Sequence, residues 1–367
     1  MIRVTDLALP LDHGPEELEA ALRRKLGIGA GELVRFSIAR RGNDARKKSA
    51  IKLVYSLDAV VTDEAAVLAR HAGDPHVRPS PDTAYRFPVM APEGWNGPRP
   101  VVIGAGPCGL LAALILAQMG FRPIVIERGK AVRERTKDTW GLWRRSVLEP
   151  ESNVQFGEGG AGTFSDGKLY SRIKDPRHLS RKVLTEFVKA GAPEDILTEA
   201  HPHIGTFRLV TMVMSIRETI EKLGGEYRFG TRVEDFEVEG GQFKGLHLST
   251  GEFLPAEHVI LAVGHSARDT FEKLHQRGIH VEAKPFAIGV RIEHPQSWID
   301  KARYGPNAGN RILGAAAYSL AHKASNGRSV YSFCMCPGGR VVAATSEEGR
   351  VVTNGMSQYS RAEFNAN

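Results

Sequence analysis

The sequence predicts an α/β protein. A Rossmann-like parallel sheet follows a small N-terminal α+β unit and precedes a mixed α+β remainder. Three observations carry this prediction. A short apolar strand at Val101–Ile103 runs into a glycine turn and then a helix. A second apolar strand, Ile124–Ile126, ends on the carboxylate of Glu127. Seven prolines between residues 72 and 100 separate this unit from an amphipathic one upstream.

The upstream unit is residues 1–71. In "PEELEAALRRKLG", Pro15 opens a helix, acids occupy its first turn, bases its last, and Gly27 follows its end. Leu18, Ala21, Leu22 and Leu26 share one face. "ELVRFSIAR" and "AIKLVYSLDAVV" read as strands, the second burying Ile51, Leu53, Tyr55 and Leu57. The basic stretch "ARRGNDARKK" reads as a solvated strand end and turn. Residues 72–100 are read as a linker, since proline at that density sustains neither helix nor central strand.

Gly104, Gly106 and Gly109 form G-x-G-x-x-G between strand and helix, the context a dinucleotide site requires. Gly104 suits the tight turn, Gly106 a close approach to a pyrophosphate, and Gly109 close packing of helix on sheet. Glu127 lies 18 residues beyond Gly109, where a carboxylate can bind a ribose hydroxyl pair. It would repel the 2′-phosphate of NADP, which leaves NAD or FAD. Residues 101–170 and 206–268 are assigned to this unit, with a helical insertion at 171–205 and a final region at 269–367. Helices are expected in "PRHLSRKVLTEFVKAG" and "TFRLVTMVMSIRETIEKLGG". Several short strands with tight turns follow, closing on "HVILAV". Strand-like runs "FAIGVRIE", "RSVYSFCMC" and "RVVAATS" complete the chain.

"GTFSDGKL", from Gly162 to Leu169, imitates a P-loop. Leu169 stands where a magnesium-binding hydroxyl belongs, and no buried strand precedes it, so a triphosphate cradle is excluded. The stretch remains dense in glycine.

The 367 residues are 42% hydrophobic and 25% charged, ordinary for a soluble protein of two or three domains. The net charge of +7 is spread along the chain, which mildly suits an anionic ligand and argues against a nucleic-acid protein. Three cysteines give no disulfide framework and point to a reducing compartment. The N-terminus lacks a signal-peptide core, and the apolar run Leu110–Met119 is too short to span a bilayer. A cytoplasmic protein without membrane contact is expected.

The segments "VVIGAGPCGLLAALILAQMGFRPIVIERG", "NVQFGEGGAGTFSDGKLYSR", "GTRVEDF", "VILAVGHSARDTF" and "YSFCMCPGGRVVAATSEEGRVVTNGMS" resemble FAD-dependent oxidoreductases of the two-dinucleotide-binding-domain type. More narrowly they resemble a bacterial family of FAD-dependent dehydrogenases, over nearly the whole chain. The resemblance implies an FAD-binding Rossmann-like sheet with a β-meander and an incomplete substrate-type domain. Gly104, Gly106 and Gly109 would hold the FAD pyrophosphate. Glu127 would bind the adenosine ribose with Arg128 nearby, the main chain at Val233 would meet the adenine, and Ala262 to Gly264 would pass close to the cofactor. The loop 157–168 would be the second flavin-contacting loop. Gly159, Gly160 and Gly162 supply its close backbone, and Thr163, Ser165, Asp166 and Lys168 its polar groups.

The implied chemistry is hydride transfer through the flavin N5, with NADH or NADPH as candidate transient donor and an unnamed small-molecule substrate. The loop lacks the cysteine pair of the superfamily's disulfide reductases, and a second nicotinamide motif is absent. His201, His203 and His265 are candidate acid–base groups, but no catalytic residue stands out and no metal set exists. Cys334 and Cys336 read as a packed strand end, and Cys108 as a packing residue in the glycine turn. The final glycine-rich segment of such enzymes is missing, so a fragment or a shortened member is expected. Two alternatives stay open: a non-catalytic dinucleotide-binding protein whose N-terminal unit docks a partner such as RNA through Arg40–Lys48, and an NAD-linked dehydrogenase.

Overall fold

The computed structural model describes residues 1–171 and 173–367. Position 172, inside the expected insertion, lies outside the described residues.

The first unit is a four-stranded antiparallel sheet covered by a helix. Its elements are β1 (Ile2–Pro10), α1 (Pro15–Leu26), β2 (Leu33–Asp44), β3 (Lys52–Val61), α2 (Glu64–Arg70) and β4 (Val77–Pro79), with strand order β2-β3-β1-β4. Gly27 ends α1 in the left-handed region at φ 63°, where its N–H reaches the carbonyls of Arg23 and Arg24. Leu18, Ala21, Leu22 and Leu26 are buried against Leu53, Tyr55 and Leu57. Sequence reasoning missed β1 and β4. In β1, Asp6 sits at φ 61° beside a register shift between Val4 and Leu7, which breaks the alternation. β4 lies in the proline-dense tract. It is only three residues long and sits at the sheet edge, where proline is tolerated.

The second sheet is parallel throughout, in the order β11-β5-β6-β7. It comprises β5 (Val101–Ile103), β6 (Ile124–Ile126), β7 (Glu226–Arg228) and β11 (Val259–Leu261). All six residues of β5 and β6 are buried, as continuous apolar runs must be when both faces are covered. One face carries α3 (Pro107–Gln118) and α6 (Thr206–Lys222), with α5 (Leu179–Lys189) beyond them. The other carries the antiparallel meander β8 (Val233–Glu239), β9 (Gln242–Leu248) and β10 (Phe253–Pro255), together with α7 (Arg268–Gln276). The helix α4 (Val132–Arg145) was not foreseen, because its buried face includes an arginine, Arg135.

The last region has only two-stranded ladders. β12 (His294–Pro295) pairs with β17 (Asn365–Ala366), β13 (Ala321–Lys323) with β14 (Ser329–Tyr331), and β15 (Gly339–Ala343) with β16 (Thr353–Ser357). The helix α8 (Gln296–Tyr304) packs against Leu11, Ala45 and Ile51, at the strand ends of the first sheet. The run "FAIGVRIE" forms no strand. Phe286, Ile288 and Val290 are 86%, 91% and 96% exposed, because no neighbouring strand among the described residues offers backbone partners. "RSVYSFCMC" pairs only over Ser329–Tyr331, so Cys334 and Cys336 lie beyond the strand.

Candidate functional site

The chain leaves β5 through Gly104, at φ 99°. A side-chain carbon there would stand 2.4 Å from the carbonyl oxygen of Ala262. One on Gly109 would stand 1.8 Å from the Gly104 oxygen, so α3 can seat on the turn only if position 109 is bare. Gly106 caps α3 without a side-chain hydrogen bond, and Pro107 occupies the first helical position. The N-terminus of α3 is therefore open to an anion.

The loop 153–168 closes the other wall. Gly160 adopts φ 58°, and a side-chain carbon on it would come within 3.0 Å of the Gly106 Cα. Turn and loop thus meet backbone to backbone. Between them, the first residues after β6, and the segments at 231–233 and 261–271, lies a cavity of about 480 Å³.

Of the residues singled out from sequence, Gly104, Gly106, Glu127 and Arg128 line this cavity, as do Gly160, Gly162, Val233, Ala262 and Gly264. Cys108 and His265 line it too. Gly109 and Gly159 do not. Gly109 sits behind the turn, and Gly159, at φ 83°, faces the Thr163 hydroxyl. Thr163, Ser165, Asp166 and Lys168 also stand off the lining. Thr163 donates inward to the Glu158 carbonyl at 3.4 Å. Ser165 donates to the Gly162 carbonyl at 2.7 Å and accepts from the Gly167 N–H at 3.0 Å, closing a turn. No helix follows Lys168, which bridges to His203 instead, so the P-loop look-alike has no P-loop geometry.

Glu127 is 4% exposed and ties three segments together. Its Oε1 accepts from the N–H groups of Gly129 and Gly157, each at 2.9 Å, and its Oε2 accepts from Ala105 at 2.7 Å. A carboxylate has about four lone-pair sites. Oε2, with a single partner among the described residues, retains lone-pair capacity. Arg128 stacks 4.3 Å over Phe156 and is held by Glu151 at 2.9 Å and Asp269 at 2.6 Å. Burial disfavours its charge, but the two carboxylates outweigh that and raise its pKa.

Two charged residues missed from sequence hold the loop from within. Arg135 is fully buried, and its guanidinium donates to four carbonyls, those of Asn153, Val154, Glu158 and Gly160, at 2.6–2.9 Å. Burial pulls its pKa to about 10, with Glu127 and Glu158 opposing, so it stays cationic at neutral pH. Glu158, also fully buried, accepts from the Val132 N–H at the start of α4 and from Arg217 Nε on α6, both at 2.8 Å. Nothing in the pattern around position 135 distinguishes it from a solvated helix arginine. Only the spacing of Val132, Arg135 and Thr139 hinted that it shares a buried face.

Beyond the cavity, Asp166 lies between Arg361 at 2.7 Å and Lys168 at 3.1 Å and also accepts from Ser357. Burial opposes its charge, but the two cations prevail and hold its carboxyl below the usual range. His203 stacks on Tyr359 and contacts its carbonyl at 3.0 Å, whereas His201 meets Tyr170 edge-on. Burial first, then Arg361 for His203 and Arg40 for His201, lowers both imidazole pKa values. His265 is exposed at the cavity rim, its Nδ1 3.1 Å from the Ser266 hydroxyl. Arg41, in the basic strand read as a partner-docking candidate, pairs with Glu199 at 2.8 Å. Among the described residues no cluster of acidic, histidine or cysteine side chains could hold a metal, and no helix is long and apolar enough to cross a membrane.

Comparison with known proteins gives three family matches along the chain. Residues 99–148 match an FAD binding domain and residues 285–367 match the family described as FAD-dependent protein, C-terminal domain-like. Residues 1–60 match a domain of unknown function. An uncharacterized protein of Clostridium beijerinckii is 44% identical over 369 residues, spanning 100% of this chain and 68% of its own length. Protein FixC of Escherichia coli K12 is 27% identical over 226 residues, 59% of this chain and 48% of FixC. Among solved structures, glycine oxidase from Bacillus cereus overlaps 50% of this chain and 59% of its own at 14% identity and a TM-score of 0.34.

Proposed function

The chain belongs to the family of FAD-dependent proteins, and from that premise we propose that it is an FAD-dependent oxidoreductase whose cofactor lies in the crevice between the 104–109 turn and the 157–162 loop. The observation that carries the reading is the bare approach of Gly106 and Gly160 across the open N-terminus of α3. A crevice walled by backbone, at the positive end of a helix, suits a pyrophosphate. The available lone pair on Glu127 suits a ribose hydroxyl, the main chain at Val233 an adenine edge, and Ala262–Gly264 the further length of the cofactor. When bound, the flavin supplies two-electron hydride chemistry at N5.

This chain's own part is to bind, orient and shield. Glu127 fixes the turn against the loop, Arg135 fixes the loop's carbonyls so that its glycine faces stay toward the crevice, and Phe156 with Phe271 excludes water. NADH or NADPH is the proposed electron donor. The same reading divides the chain into an N-terminal unit (1–71), a linker (72–100), a cofactor domain (101–170 with 206–268) carrying an insertion (171–205), and a substrate-type region (269–367).

The test is spectroscopic. Protein purified without added flavin should be yellow, release FAD on heating, and bleach anaerobically with reduced nicotinamide. A colourless protein that fails to take up FAD sinks the cofactor assignment. A yellow protein inert to both nicotinamides sinks the donor assignment alone.

A further inference from the structure

The two cysteines of the short 334–336 segment look unremarkable in sequence, yet the fold brings both onto one ammonium group. Lys168 Nζ lies 3.2 Å from Cys336 Sγ and 3.6 Å from Cys334 Sγ, and 3.1 Å from Asp166 Oδ2. Cys336 Sγ donates to the Cys334 carbonyl at 3.7 Å. Arg291 Nη1 donates to the Cys334 carbonyl at 2.7 Å, and Cys336 is pinned by main-chain bonds to Asn367. Cys336 is buried, whereas Cys334 is partly exposed.

Charge balance says what the pair does. Asp166 supplies one negative charge against Lys168 and Arg361, and Arg291 adds a further cation beside Cys334. The pocket thus carries surplus positive charge, which favours a thiolate at one of the two sulfurs. We propose that Cys334, Cys336 and Lys168 form a thiol–disulfide exchange site in which Cys334 is the attacking thiolate and Cys336 the resolving thiol. The site goes beyond the flavin reading and stands without it.

The oxidant is a small-molecule or protein disulfide. Cys334 sulfur attacks one sulfur of the external disulfide, forming a mixed disulfide and expelling one thiolate, which takes a proton. Cys336 then loses its proton and attacks the Cys334 sulfur, expelling the second thiolate, which takes that proton. The Cys334–Cys336 dithiol is oxidised by two electrons, and the external disulfide is reduced to two thiols.

The electrostatics agree with the assignment of roles. The neighbouring Cys336 thiol, then Lys168 and Arg291, lowers Cys334 to about 5 against the opposing effect of burial. Cys336 is pushed upward by Cys334 and by burial, with Lys168 opposing and Asp166 reinforcing. The charged and titratable groups facing the pair are therefore Lys168, Asp166 and Arg291, and each thiol faces the other.

The full chain, purified under reducing conditions, is alkylated with iodoacetamide and mapped by peptide mass across pH. An ordinary thiol gains about tenfold in rate per pH unit below its pKa. Cys334 should instead react at a nearly constant rate between about pH 6 and pH 8, because its thiolate fraction is already saturated there. Its advantage over the same cysteine in the urea-unfolded chain should be largest at the acid end. Lys168→Met should move the inflection upward. Excess glutathione disulfide should give an internal Cys334–Cys336 link in the wild type and a trapped glutathione adduct on Cys334 in Cys336→Ser. A wild-type Cys334 rate that climbs tenfold per unit like the unfolded chain overturns the proposal, as does failure of glutathione disulfide to link the pair. Neither readout needs bound flavin, so failure here leaves the cofactor reading standing, and the reverse.

Discussion

Arg135→Met tests whether the glycine-rich loop is held from within by one buried guanidinium. Methionine keeps most of the volume and removes every donor. The loop would lose four charge-assisted bonds, to Asn153, Val154, Glu158 and Gly160. Bonds to a charged donor contribute roughly 1.5–3 kcal/mol each, so the gross loss is on the order of 6–12 kcal/mol. The substitution also relieves the desolvation that draws Arg135 to about 10. That relief is worth roughly 3 kcal/mol. Water entering beside the freed carbonyls recovers a further share. A net destabilisation of about 3–5 kcal/mol remains, in line with the cost of breaking buried ionic contacts. The assay is native-state hydrogen exchange by mass spectrometry on peptides covering residues 150–165, alongside urea unfolding. Exchange there should accelerate by at least about a hundredfold, the equivalent of roughly 3 kcal/mol. Unchanged protection of that loop, with a stability change under about 1 kcal/mol, would refute the reasoning.

Three further outcomes follow from the same geometry. Glu127→Gln places an amide NH₂ against one or more of the N–H groups of Ala105, Gly129 and Gly157. It should cost about 2 kcal/mol by urea unfolding and weaken FAD retention in a fluorescence titration; unaltered affinity and stability would count against the triple tie. Gly160→Ala must hold a left-handed φ of 58° and press on the Gly106 Cα. It should cost about 1–2 kcal/mol and at least about tenfold in FAD affinity, and tight FAD binding by this variant would argue against the crevice. His203 has a lowered folded pKa, so the fold prefers it neutral. Stability is full above the unfolded value of roughly 6.5 and falls as pH drops from there toward the folded value. His203→Gln should flatten the fall in melting temperature between about pH 7 and pH 5, with His201 supplying a residual slope of the same sign; an identical slope in the variant rejects the assignment.

Much of the cofactor-side architecture was legible because its signals are local. Gly104 and Gly109 are fixed by clashes with atoms a few residues away or on the adjacent strand, and the β5–α3–β6 pattern announces itself in an unbroken stretch. The Cys-x-Cys pair illustrates the opposite case. Its meaning depends on Lys168, brought to it across 166 and 168 positions of sequence, and no periodicity carries information over that span. "FAIGVRIE" shows a third kind of limit. Alternation records that a segment could bury one face, but the burial itself requires a neighbour, and Phe286, Ile288 and Val290 have none among the described residues.

Arg135, Glu127 and Glu158 share one design consequence. A loop with Gly157, Gly159, Gly160 and Gly162 has little side-chain material with which to hold its own shape, and its carbonyls cannot all pair with one another. The fold answers with buried charge: Arg135 collects its carbonyls, Glu127 takes the Gly157 N–H, and Glu158 anchors it to α4 and α6. These bonds order the backbone from behind, so that the bare backbone at Gly160 and Gly162 is presented to the crevice. That arrangement explains why the polar residues Thr163, Ser165 and Asp166 turn away from the cavity while the glycines Gly160 and Gly162 face it.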